Sequence, residues 1–129
     1  MTSWKIRDGA PDDLARVLDL WEVSAAPPTV TDSIESLRSL IAHDPHALLI
    51  GDAHGEVAGS LIAAWNGWRG SFYRLAVHPD LRRRGLATHL VREGEKRLRD
   101  RGGVRVDAIV SVDDVGAIGF WIAVGYKQQ

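Results

Sequence analysis

Three consecutive arginines, Arg82-Arg83-Arg84, run into Gly85-Leu86-Ala87-Thr88, and nowhere else is the sequence better equipped to do chemistry. This turn follows the apolar run Phe72 to Val77 and opens into an amphipathic segment, Thr88 to Arg101, that stops at Gly102-Gly103. A strand that ends, a turn of glycine and small residues, and a helix start together make an anion site. The first N–H groups of the helix lack intrahelical partners, and the helix dipole adds positive charge beside them. Gly85 and Ala87 leave room for a ligand to reach the backbone, while Arg82, Arg83 and Arg84 put cations at the rim. A bulky anion of the pyrophosphate kind suits this description.

Two common phosphate loops do not fit. A P-loop needs Gly-Lys-Ser/Thr, and here Gly85 is followed by Leu86. A dinucleotide fingerprint needs Gly-x-Gly-x-x-Gly after a domain's first strand, whereas this turn has one glycine and sits mid-chain. The plain alternative is a solvated basic loop before an ordinary helix. The order strand, Arg-x-x-Gly-x-Ala, helix, Gly-Gly stop, strand favours phosphate binding.

Charge distribution separates a small polyphosphate from a long nucleic acid. Residues 82–105 hold nine Lys or Arg against three Asp or Glu, an excess of six, within a chain of net charge −1. The remainder is therefore acidic and would repel an extended polyanion. Residues 82–105 also contain no Phe, Trp or Tyr on which a base could stack, so no nucleic-acid partner is expected. No apolar run approaches ~20 residues, so no membrane partner is expected either. Met1-Thr2-Ser3-Trp4-Lys5 lacks the apolar core of a signal peptide. With no cysteine there is neither disulfide nor thiol nucleophile, and a cytoplasmic setting is the expectation. The histidines are scattered, and Pro45 separates the two nearest, His43 and His46, so no metal site is expected.

The elements that must position the turn follow from hydrophobic period. Trp4 to Arg7 reads as a strand. Ala10-Pro11-Asp12-Asp13 starts a helix whose apolar face is Leu14, Val17, Leu18 and Trp21, and Ala25-Ala26-Pro27-Pro28-Thr29 breaks it. Asp32-Ser33-Ile34-Glu35 reads as a capping box before a stripe of Ile34, Leu37, Leu40 and Ile41. Ala47 to Asp52 and Glu56 to Trp65 are strands joined through Ala53-His54-Gly55, and Asn66-Gly67 turns into a third, Ser71 to Val77. The helix Thr88 to Arg101 buries Leu90, Val91, Gly94 and Leu98 and carries Glu93–Arg97 and Glu95–Arg99 pairs outside. Val104 to Val110 alternates as a strand, Asp114 to Ala123 is a helix, and Gly125-Tyr126 begins a further strand. The order βααβββαβαβ over one domain, 1–129, predicts an α/β (α+β) fold. Its sheet is mixed and mostly antiparallel, with a βαβ crossover and flanking helices.

Leu75-Ala76-Val77-His78-Pro79, Arg82-x-x-Gly85-x-Ala87 and Asp114-x-x-Ala117-x-x-Phe120-Trp121-x-x-x-Gly125-Tyr126 resemble signatures of the GNAT superfamily of acyl-CoA-dependent N-acyltransferases. The likeness spans residues 4–129. It implies transfer of an acetyl group from acetyl-CoA, without a metal, to a primary amine of a small molecule or peptide. It also implies that the backbone of Leu75, Ala76 and Val77 pairs with the pantetheine arm, which Asp114 contacts. Arg82, Arg83, Arg84, Gly85, Leu86, Ala87 and Thr88 would hold the pyrophosphate. The strands Phe72–Val77 and Val104–Val110 would splay to admit the cofactor. The family's last strand is lacking after Lys127-Gln128-Gln129. A truncated chain, a short natural member, and a chain completed by a partner strand, as in a homodimer, all fit that exposed edge.

Three departures from the family matter. Asp114 stands where Asn is common and loses an amide donor. Trp121 stands where Tyr often serves as general acid, and an indole cannot protonate a thiolate. The carboxylate bases that some members place at the Ile109 or Tyr73 positions are missing. A thiol with a pKa of about 8.5 leaves acceptably as thiolate, so the missing acid matters little. A lysine-type amine, pKa about 10.4, is less than roughly 0.1% neutral at pH 7, so the missing base matters more. Tyr73 and Glu22 are the candidates for proton removal, although a half-buried strand aromatic is the favoured reading of Tyr73 and a solvated helix-end acid is at least as natural a reading of Glu22. The competing functional class is a non-catalytic module that binds or senses acyl-CoA.

Overall fold

The protein is described from a computed structural model covering residues 3–24 and 27–129. Met1 and Thr2 of the N-terminal reading, and Ala25 and Ala26 of the helix break, lie outside the described residues.

The alternating segments become a five-stranded sheet in the order β1-β2-β3-β4-β5. The strands are β1 (Lys5–Asp8), β2 (Leu48–Ala53), β3 (Glu56–Trp65), β4 (Gly70–Val77) and β5 (Val106–Ala108). β1 to β4 pair antiparallel, and β5 joins β4 parallel. Period-two alternation divides the core between the two faces. Leu48, Ile50, Ile62 and Ala76 pack with residues of α1 (Leu14–Val23) and α2 (Ile34–His43). Leu49, Leu61, Ala63 and Phe72 pack with α3 (Leu86–Asp100) and with Trp121 of α4 (Val115–Ala123). Burial on both faces explains why β2 and β3 read as nearly continuous apolar runs. α3 lies so close that a Cβ on Gly94 would come within 2.8 Å of the Phe72 ring. His54 and Gly55, both at positive φ, close β2 onto β3 in a two-residue hairpin.

Several sequence expectations are corrected. The strand expected over Val104–Val110 is only Val106–Ala108, because pairing with β4 ends at Phe72–Ala108 and leaves Val104 96% and Ile109 56% exposed. α3 begins at Leu86 rather than Thr88, since Gly85 at φ +92 supplies a left-handed cap. α2 is capped by Ser33, whose hydroxyl accepts from the Ser36 N–H; the Asp32 carboxylate is held instead by Arg74. Glu95 binds Arg92 and the Tyr126 hydroxyl rather than Arg99. No strand follows α4 among the described residues; Tyr126 packs its ring edge-on against Trp121.

At the β1 end one cation organises two buried carboxylates. Arg7 donates through both terminal nitrogens to Asp13 and through Nε to Asp52, at 2.7 to 2.9 Å. Asp13 also accepts from the Ala10 N–H and Asp52 from the Gly55 N–H. The Arg7 hydrogen bonds hold both carboxyls below the usual carboxylate range and raise the Arg7 pKa further. Arg101 does the same for Asp44.

Candidate active site

β4 changes character halfway along. Its first residues, Gly70 to Phe72, have β3 on one side and β5 on the other. The Gly70 N–H donates to Arg105 and the Phe72 carbonyl accepts from the Ile109 N–H at 2.9 Å. Beyond Phe72 the β5 ladder stops. The register against β3 also slips there, with Arg74 and Leu75 opposing Leu61 alone. Arg74 occupies this bulge at φ +53, a conformation that a non-glycine residue rarely takes. The His78 N–H returns to the Ala58 carbonyl of β3, so alternation turns the N–H groups of Leu75 and Val77 towards the open edge.

A cleft of about 780 Å³ lies beside that edge. Its walls include Tyr73 to Ala76 of β4, Ile109 to Ser111 after β5, Asp114, Ala117 and Trp121 of the last helix, and Trp21, Leu37 and Leu40 opposite. The loop from Pro27 to Asp32 closes one side. Asp114 caps α4, its carboxylate accepting from the Ala117 N–H at 3.0 Å, while also facing the cleft. Trp121 is buried and stacks on Phe72 with ring centroids 5.7 Å apart.

Past Val77 the chain makes one turn of 3₁₀ helix, Pro79–Leu81, and then the arginine turn. Arg83 (φ +63) and Gly85 (φ +92) bend the backbone so that successive N–H groups can converge. The first bond within α3 runs from the His89 N–H to the Gly85 carbonyl, which leaves the N–H groups of Leu86, Ala87 and Thr88 without intrahelical acceptors. No side chain caps this helix start, whereas Ser33 and Asp114 cap α2 and α4. α3 alone of these three offers its end to a ligand.

The sequence-derived residues thus fall in two groups. Leu75, Ala76, Val77 and Arg83 to Thr88 form one continuous path from cleft to helix start, with Asp114 across the cleft. Arg82 departs from it, since its guanidinium donates to the Ser24 carbonyl at 3.0 Å and ties the turn to the end of α1. Tyr73 lines the cleft and is exposed; Glu22 is exposed on α1 and is not among the lining residues. The hydroxyl of Tyr126 donates to Glu95 at 2.8 Å, and burial together with that bond raises its pKa. Sequence reasoning missed Arg74, Asp32 and Ser60. An arginine at positive φ has no signature in sequence, and Asp32 resembled a cap. Among the described residues, no group of three or more His, Cys, Asp or Glu stands where it could hold a metal. Among the described residues, no helix is long and apolar enough to cross a membrane.

The site is a helix start without a side-chain cap, continuous with a half-paired strand. The chain belongs to the acetyltransferase (GNAT) family, whose pattern it matches over residues 16–126, and its activity is acetyl transfer from acetyl-CoA to an amine. It is 34% identical over 123 residues to an acetyltransferase of Pectobacterium atrosepticum, covering 95% of this chain and 87% of that one. Its fold superposes on Ard1 of Thermoplasma volcanium with a TM-score of 0.87 at 20% identity, covering 98% of this chain and 84% of that one. It also superposes on the PaiA N-acetyltransferase of Thermoplasma acidophilum, in complex with coenzyme A, with a TM-score of 0.82 at 16% identity, covering 98% and 91%.

Proposed function

We propose that acetyl-CoA lies in the opening between β4 and β5, its pyrophosphate on the N–H groups of Arg83 to Thr88 and its pantetheine arm along Leu75 to Val77. The observation that carries this reading is the uncapped start of α3, reached directly from the half of β4 that has lost its β5 partner. Acetyl-CoA supplies an acetyl group on a thioester. The chain's own groups then do three things. The Leu75 N–H faces the position where negative charge would grow on the thioester oxygen. Trp121 and Phe72 wall part of the cleft with apolar surface. Arg83 and Arg84 surround the turn with positive charge and draw the polyphosphate in.

No side chain in the cleft is a ready base. Asp32 is committed to Arg74 and Asp114 to the Ala117 N–H. Proton removal therefore falls to water, with Tyr73 of β4 lining the same cleft, and the best acceptor is an amine that arrives largely neutral. An α-amino group, pKa about 7.7–8.0, satisfies this better than a lysine. Acetyl transfer across a panel of amines tests the reading: rates should rise with pH through each acceptor's own pKa. A plateau set by the enzyme and shared by all acceptors would show that a dedicated base exists. Calorimetry with CoA should give affinity that weakens as salt is raised; no heat at millimolar CoA would overturn the site.

A further inference from the structure

Arg74 is held at both ends. Its guanidinium donates to the Asp32 carboxylate through Nε and a terminal nitrogen, reaches the Pro27 carbonyl at 2.9 Å and lies over the Trp21 ring. Its carbonyl accepts from the Ser60 hydroxyl at 3.1 Å. Ser60 is fully buried, and its oxygen also accepts from the Trp21 indole N–H at 2.8 Å. An indole nitrogen can only donate, so Ser60 must accept from Trp21, and its single proton is left for the Arg74 carbonyl. The direction of this chain of bonds is therefore fixed. In a trans peptide the C=O and the following N–H point opposite ways. Anchoring the Arg74 carbonyl on the Ser60 side accordingly aims the Leu75 N–H at the open edge. A left-handed arginine persists only where its surroundings over-determine it, and here two independent grips do so.

We propose that Ser60 and Asp32 are positioning residues that fix the Arg74–Leu75 peptide so that the Leu75 N–H addresses the thioester carbonyl. Ser60 sets the orientation from β3, beside Trp21. Asp32 sets it from the loop that closes the acceptor side, so the loop and the carbonyl-binding N–H are joined through one residue. This inference rests on the proposed placement of the thioester beside Leu75.

The test is infrared spectroscopy of bound acetyl-CoA labelled with carbon-13 at the thioester carbonyl, with no acceptor present. The wild-type protein should move the carbonyl stretch to lower frequency than in solution. Ser60→Ala should lose most of that displacement and lower kcat by about tenfold to a hundredfold. Its affinity for CoA, which has no acyl carbonyl, should change less than threefold. Ser60→Thr, which keeps the hydroxyl, should restore the displacement. Asp32→Asn leaves the buried Ser60–Trp21 pair intact and should lose part of the displacement even if Ser60→Ala does not fold. A full displacement and full kcat in both Ser60→Ala and Asp32→Asn would overturn the inference while leaving the thioester site standing. No displacement in the wild type, with CoA bound, would instead overturn the placement of the thioester and the inference with it.

Discussion

At the β1 end of the sheet, four of the five Arg7 N–H donors go to Asp13, Asp52 and the Asp8 carbonyl, and each carboxylate also accepts a backbone N–H. At the Arg82–Thr88 turn, three arginines precede a helix start that no side chain caps, and one of them, Arg82, reaches back to Ser24. The same residue type closes one site and furnishes the other. The difference lies in the acceptors. Where the chain brings its own carboxylates, the charge cluster contributes stability. Where it brings backbone donors and left-handed turns instead, the start of α3 stays without a side-chain cap, as the proposed pyrophosphate site requires. The two regions should therefore respond to different perturbations.

Arg7→Met has the largest expected effect on stability. It strands Asp13 and Asp52 at 5% and 8% exposure, which should cost about 3 kcal/mol in a urea titration, at the lower end for a broken buried pair because Arg7 is itself partly exposed. CoA affinity should be unchanged, and a tenfold loss would erase the separation between the two regions. The same pair of proteins carries a pH signature. Asp13 and Asp52 have lowered folded-state pKa values, so the stability they contribute is fully present above the unfolded value of about 3.9 and is lost as pH falls through the folded one. The wild-type advantage over Arg7→Met should thus be constant near neutrality and shrink below about pH 4.

Gly85→Val attacks the open region. A β-branched residue does not accept φ +92, and a Cβ added at Gly85 would project into open space, on the side of the proposed pyrophosphate. CoA affinity should fall by at least about a hundredfold, or about 2.7 kcal/mol, by calorimetry. Wild-type affinity in this variant would move the pyrophosphate elsewhere. Trp121→Phe should have the smallest effect. It keeps a ring against Phe72 at a cost of about 1 kcal/mol, and kcat should stay within about threefold, because a thiolate leaves without an acid. Loss of several orders of magnitude with normal CoA binding would show that the indole N–H takes part.

Most of the open region was legible in the sequence, because its signals are local. Arg-x-x-Gly-x-Ala after an apolar run states both the turn and the helix start, and the structure extends the helix back by two residues, to Leu86. The closed region and the bulge were not legible, because they depend on contacts distant in sequence. Arg7 meets Asp52, Arg74 meets Asp32 and Trp21 meets Ser60 only after the sheet has formed. Local pattern misled for the same reason: Asp32 looked like a cap until Arg74 claimed its carboxylate, and Val104 to Val110 alternated like a strand although the diverging β4 offers it partners at three residues only. The tie from Arg82 back to Ser24 was likewise not legible, since it too joins residues distant in sequence.

Amide chemical shifts on titration with CoA compare the two regions directly. In ¹⁵N-labelled protein, the account predicts the largest changes at Leu75, Val77 and Gly85 to Thr88, with smaller ones around Asp114. Arg7, Asp13, Asp52 and Gly55 should stay where they are. Saturating shifts that spare the Gly85–Thr88 amides, or that fall chiefly on the β1 end, would contradict the assignment of this turn as the pyrophosphate site.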